Sequence, residues 1–294
     1  MQSEYEQPLI RKDPMVTIIA DTTTSLPLDA LVVLGIPTLP QIIIFGDKEY
    51  RDDSELDTET FLKLLKASPV LPKTSAPSPD LYRPLFNKYT GNGNTVIVIT
   101  PSADVSGTFR AATVAREEFP KADIRVIDSR TIASGLGSIV LKAHEWAMAG
   151  VSADEIEKKV IDLSAHQKVY FMVDTLEYLY KGGRIGGAAA LLGSLLQMKP
   201  ILTVKDGRVE SADKQQTKKK AITRMINLVM EDCPRDGSGM VTVMHCDAEE
   251  DARDICVSLE EQLGIHDIPI YILPSAIVVH AGPKALAVSY FTAQ

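Results

Sequence analysis

Two hydroxyl-rich segments carry the residue types in this chain that could hold a small anion. The first is Lys73-Thr74-Ser75-Ala76-Pro77-Ser78-Pro79. The second is Ser106-Gly107-Thr108, at the start of a predicted helix. Unpaired N–H groups and a partial positive charge at a helix start suit a carboxylate or phosphate. The Ser106 and Thr108 hydroxyls can donate, and Gly107 lets a ligand approach the backbone. Taken singly, each segment also reads as a plain turn or helix cap; two in one α/β unit point to a shared anion site. Lys181-Gly182-Gly183-Arg184-Ile185-Gly186-Gly187 lacks the Lys-Ser/Thr ending of a phosphate loop and follows a helical turn, so it fits a tight turn that fixes the Arg184 cation. His280-Ala281-Gly282-Pro283 offers an imidazole, either satisfied in the core or exposed at a loop. No Gly-x-Ser-x-Gly elbow, His-Glu-x-x-His or paired-cysteine motif occurs. The pattern favours binding over catalysis.

The elements that must position these groups alternate. Buried strands are expected at 15–20, 42–45, 95–100 and 124–127, with helices at 28–34, 57–66, after Ser78, over 106–119 and through Ala149. This alternation predicts a parallel sheet covered on both faces by helices. A capping box, Ser152-x-x-Glu155, starts a helix at 153. Strands follow at 169–173, 201–204, 240–245 and 268–273, a hairpin turn at Asp206-Gly207, and helices at 188–196, 217–230 and 249–263. The expected organisation is a tail over 1–14, an α/β domain over 15–165 bearing the hydroxyl loops, and a second mixed α/β domain over 166–294 that closes the site.

Of the 294 residues, 45% are hydrophobic and the net charge is −8, which opposes nucleic-acid and anionic-membrane partners. Lys214 and Lys218-Lys219-Lys220 are a local exception, read as solvated surface or a dock for an acidic partner. Three cysteines give no disulfide framework and fit a reducing compartment. No apolar run reaches the roughly 18 residues of a membrane span. The expected location is the cytoplasm, with no metal site and no cofactor.

The chain resembles the DegV family of bacterial fatty-acid-binding proteins. The resemblance runs, in the family's order, through Ala20-Asp21-Thr22-Thr23, the 73–78 segment, Ser106-Gly107-Thr108-Phe109, Asp128-Ser129, Leu179 to Ile185, Lys199-Pro200-Ile201-Leu202, Lys218 to Ala221 and His280 to Pro283. It implies a two-domain α/β fold enclosing a long-chain fatty acid such as palmitate. It also implies a carboxylate bonded by Thr74 and Ser106, with Ser75 and Gly107 adjacent and Arg184 and His280 completing the polar end. Family members hand the acid to a separate kinase subunit for phospholipid synthesis, which makes the chain a carrier. Departures stand at Ala76, where the family commonly has Gln, at Lys284, and at Thr22-Thr23-Thr24. The competing reading is an acyl- or phosphoryl-transfer enzyme using Ser106 or the 182–187 loop. Ile42, Ile43, Ile44, Phe171, Leu191 and Leu192 are candidates for either tunnel wall or plain core.

Overall fold

The computed structural model describes residues 15–192 and 198–293. The expected tail at 1–14 and the end of the expected 188–196 helix lie outside them. In chain order, β1 (Val16–Asp21) runs into a 3-10 turn (Thr22–Thr24) and α1 (Leu28–Leu34). Then come β2 (Thr38–Leu39), β3 (Ile42–Phe45), β4 (Lys48–Arg51), α2 (Thr58–Ala67), β5 (Lys73–Ser75) and α3 (Pro79–Tyr89). Next are β6 (Thr95–Thr100), α4 (Thr108–Glu117), β7 (Ile124–Asp128), α5 (Ser134–Met148) and α6 (Ala153–Ala165). The remainder is β8 (Gln167–Met172), α7 (Glu177–Lys181), β9 (Lys199–Lys205), β10 (Arg208–Gln215), α8 (Lys218–Met230), β11 (Thr242–His245), α9 (Glu249–Leu263), β12 (Ile270–Ile272), α10 (Ser275–Ala281) and β13 (Leu286–Phe291).

The first sheet is parallel, in the order β2-β1-β6-β7. Every residue of β6 is buried, as a strand covered on both faces requires. On one face Ile18, Ile97 and Ile99 pack against Leu136, Ile139 and Val160; on the other Ile19, Val96 and Val98 pack against Tyr82 and Phe86. The second sheet has the order β10-β9-β8-β13-β11-β12 and is mixed, with only β11 and β12 parallel. Phe291, at the end of β13, joins the core of the first sheet.

A small antiparallel sheet, β4-β3-β5, is inserted in the sequence between β2 and β6 of the first sheet and was not anticipated as a sheet. Its strand β5 occupies the hydroxyl segment that reads as a loop. Ile43 pairs with Thr74 and Ile42 with Ser75. Tertiary pairing with the apolar β3 holds Lys73–Ser75 extended despite the two prolines that follow. Ser78 precedes α3 with Pro79 at its first position, but its side chain makes no capping hydrogen bond. At α6 the Ser152 half of the expected capping box forms, its hydroxyl accepting from Glu155 N–H at 3.3 Å. The 3-10 segment Gly186–Leu191 replaces the start of the expected α-helix.

The candidate head-group and tail site

Strand geometry separates Thr74 from Ser75. Successive side chains leave a strand on opposite faces. Thr74 lines an internal cavity, whereas Ser75 is exposed and its hydroxyl donates to its neighbour Ala76 O at 3.3 Å. The Thr74 hydroxyl lies 2.9 Å from His280 Nε2 on α10.

Ser106 and Gly107 close the turn after β6. Ser106 N–H donates to Ser102 O at 3.0 Å, and Gly107 is the N-cap residue of α4. Gly107 has ordinary helical φ and ψ, and a Cβ built there would sit 3.4 Å from the Ala76 Cβ. The two hydroxyl segments therefore touch, and Gly107 is there for neither strain nor a lack of space. Ser106 Oγ lies 2.9 Å from Thr108 Oγ1 and accepts from Thr108 N–H at 3.3 Å.

Arg184 reaches the same cavity from the turn after α7. Its Nε donates to Val105 O at 3.1 Å and its Nη1 to Gly182 O at 2.7 Å. Among the described residues no carboxylate pairs with it, so its charge is held by carbonyl dipoles alone. Burial, and secondarily the Arg184 charge, push the His280 imidazole down to about 4, so it is neutral at pH 7. Its buried Nδ1 has no partner among the described residues. A buried orphan acceptor is tolerated better than an orphan donor, which favours the tautomer with the proton on Nε2. His280 then donates to Thr74 Oγ1, and the Thr74 hydroxyl proton is left for a ligand. A Cβ at Gly182 would lie 2.3 Å from His280 Nδ1, so glycine is needed there for close approach.

A buried carboxylate lies beneath these groups. Asp21, at the carboxyl end of β1, is 1% exposed. It accepts from Thr23 N–H at 2.9 Å, from the Thr23 hydroxyl, from Gln41 Nε2 at 2.7 Å and from the Thr108 hydroxyl at 3.0 Å. Burial raises its pKa against the lowering effect of those donors. Thr23 and Gln41 also line the cavity. In the sequence Asp21 is legible as a strand-end acid that could serve as a general base, with no nucleophile paired to it; nothing at Gln41 signals a role.

The cavity measures about 120 Å³. Thr74, Ser106, Gly107, Arg184 and His280 all line it, and Ser75 does not. Apart from Thr23 and Gln41, its other walls are apolar, among them Phe171, Leu179, Val204, Val209 and Ile277. Ile43 is buried core; Leu192 is 43% exposed, and neither lines the cavity. An apolar cavity near 150 Å³ takes a benzene-sized guest, so a long acyl chain requires these walls to part. A separate, more open groove of about 600 Å³ mixes polar residues, among them Thr22, Asp52 and Asp57, with apolar Leu26, Leu56 and Ile270, and none of the predicted site residues lines it. Among the described residues no cluster of His, Cys, Asp or Glu could hold a metal ion, and no helix is long and apolar enough to cross a membrane.

Comparison with known proteins agrees with this architecture. A DegV domain-containing protein of Clostridium perfringens is 34% identical over 279 residues, covering 94% of this chain and 98% of its own. A DegV family protein of Thermus thermophilus, described as binding fatty acid, superposes with a TM-score of 0.85 at 29% identity, covering 95% of this chain and 100% of its own. A fatty-acid-binding DegV family protein of Streptococcus agalactiae gives a TM-score of 0.87 at 26% identity over 96% of this chain and 100% of its own. The family model for uncharacterised proteins of the DegV family, COG1307, matches residues 15–293. The chain belongs to the DegV family.

Proposed function

We propose that this protein binds one long-chain fatty acid, such as palmitate, with its carboxylate at Thr74, Ser106, Gly107, Arg184 and His280 and its acyl chain among the apolar walls. The observation that carries this reading is the meeting of those five residues, from sequence-distant segments, on one cavity whose remaining walls are mostly apolar. The Thermus and Streptococcus relatives described as fatty-acid-binding support it. Each buried methylene contributes about 0.8 kcal/mol, so a sixteen-carbon chain offers on the order of 10 kcal/mol gross as the driving force against the cost of association. The carboxylate then needs satisfied hydrogen bonds more than a strong ion pair.

The protein acts as a carrier and not as the catalyst. Ser106 Oγ contacts the hydroxyl and N–H of Thr108, neither of which is a base that would activate a nucleophile. Gly107 is exposed and Thr74 and Ser106 are half-buried, so a carboxylate held there stands near the surface, within reach of a partner's active site. That placement suits hand-off to a separate fatty-acid kinase for phospholipid synthesis. The free, buried Cys233, Cys246 and Cys256 suit a reducing cytoplasm. Displacement of a fluorescent fatty acid by palmitate tests binding. Phosphorylation of the bound acid by an added bacterial fatty-acid kinase and ATP tests hand-off. Turnover of acyl esters or ATP by the isolated chain, lost in Ser106→Ala, would replace this reading with a transfer enzyme.

A further inference from the structure

Asp21 Oδ2, Thr108 Oγ1 and Ser106 Oγ form a file of hydrogen-bonding atoms leading from a buried carboxyl to the cavity, with steps of 3.0 and 2.9 Å. Gln41 Nε2 donates to the first two members, at 2.7 and 3.1 Å. The same heavy atoms support two complete proton arrangements. With Asp21 ionised, the Thr108 hydroxyl donates to Asp21 and the Ser106 hydroxyl donates to Thr108. Ser106 then shows the cavity a lone pair, which repels a carboxylate. With Asp21 protonated, every hydroxyl reverses. Asp21 donates to Thr108, Thr108 donates to Ser106, and the Ser106 proton points at the ligand.

We propose that Asp21 is a positioning residue that sets the direction of the Thr108–Ser106 hydroxyl file, and that it takes up one solvent proton when a carboxylate ligand binds. This rests on the fatty-acid reading of the site. Burial raises the Asp21 pKa against the lowering effect of its hydrogen-bond donors, which favours the protonated form. The titratable and charged groups around Asp21 divide. Asp52 accepts from the Gln41 backbone N–H at 2.8 Å, and burial raises it to about 7. Tyr82 of α3 is buried with its pKa raised, by burial first and by the Asp21 charge second. Neither favours an anion at Asp21. Arg184 and His280 line the cavity the file opens into, where the Arg184 cation acts on the ligand carboxylate. The net change is one fatty-acid anion and one proton bound together, with no other group gaining or losing charge.

Calorimetric titration of palmitate into the full chain, in phosphate and in Tris buffers between about pH 6 and 9, reads the proton count from the buffer dependence of the heat. The expected result is an uptake approaching one proton per ligand for the wild type within that range, and close to none for Asp21→Asn or Thr108→Val. Binding without uptake at any pH overturns the relay and leaves the fatty-acid reading standing. Unchanged uptake in Asp21→Asn also overturns it, by placing the proton on His280 or Asp52. The wild-type count needs no variant to fold. Failure of palmitate to bind the wild type overturns both proposals.

Discussion

The Thr74 hydroxyl and His280 Nε2 meet at 2.9 Å across 206 residues of sequence. This contact fastens β5 of the small sheet to α10 of the second sheet's half of the chain. It also assigns the protons: a neutral His280 donating from Nε2 leaves Thr74 free to donate into the cavity. Thr74→Val is expected to lower fatty-acid affinity by about 1–2 kcal/mol, on the order of tenfold. Adding His280→Gln should cost less than the two single effects summed, because both act through one contact. A double-mutant cycle of palmitate displacement checks this, and strict additivity would separate the two residues.

Ser106→Ala should weaken palmitate binding by about 1–3 kcal/mol, since the ligand carboxylate loses a charge-assisted hydrogen-bond donor. Its effect on the unliganded fold should stay within about 1 kcal/mol, because Ser106 gives α4 only a long contact to Thr108 N–H and one half-buried hydroxyl contact to Thr108 Oγ1. Denaturant unfolding beside a displacement titration separates the two. Equal losses would reduce Ser106 to a helix start.

Adjacent glycines after α7 should behave differently. Gly182→Ala drives a Cβ to 2.3 Å from His280 Nδ1, so the imidazole must shift. Affinity for palmitate should fall tenfold or more, on the order of 1.4 kcal/mol. Gly183 has φ +70 and no atom within 4 Å of a built Cβ. Gly183→Ala should therefore cost about 1 kcal/mol of stability through left-handed strain, with affinity little changed. Matching losses of affinity in both variants would remove the steric argument.

The depressed His280 has a signed pH consequence. Its pKa is about 4 in the fold, below the ordinary 6.5. Between those values the unfolded chain binds a proton that the native protein does not, so acidification destabilises the fold, by up to about 3 kcal/mol near pH 4. Asp21 and Asp52 are shifted upward and act in the opposite sense. The informative quantity is thus the wild-type curve minus that of His280→Gln. That difference should grow as pH falls from 6.5 towards 4, and a flat difference would contradict the buried neutral imidazole.

The parallel core was legible because β1 and β6 are continuous apolar runs, and a strand buried on both faces needs nothing else to be recognised. The long helices α8 and α9 were equally plain from apolar period and caps. Strand β10 was legible only through the Asp206-Gly207 hairpin turn before it, since Arg208–Gln215 is polar apart from Val209 and Ala212 and yet pairs with β9. Strand β5 was hidden for a related reason: its conformation is imposed by β3 and not by its own residues. In the site, Thr74, Ser106, Arg184 and His280 stood out by residue type and family motif. Gln41 did not, because its role depends on two buried carboxylates, Asp21 and Asp52, that the fold brings to its side chain and backbone.

Native mass spectrometry of the protein purified from bacterial cells tests the central claim most directly. The account predicts a population carrying the added mass of one long-chain fatty acid, and a single further equivalent taken up by lipid-stripped protein on titration with palmitate. Protein that carries no lipid and takes up none would contradict it.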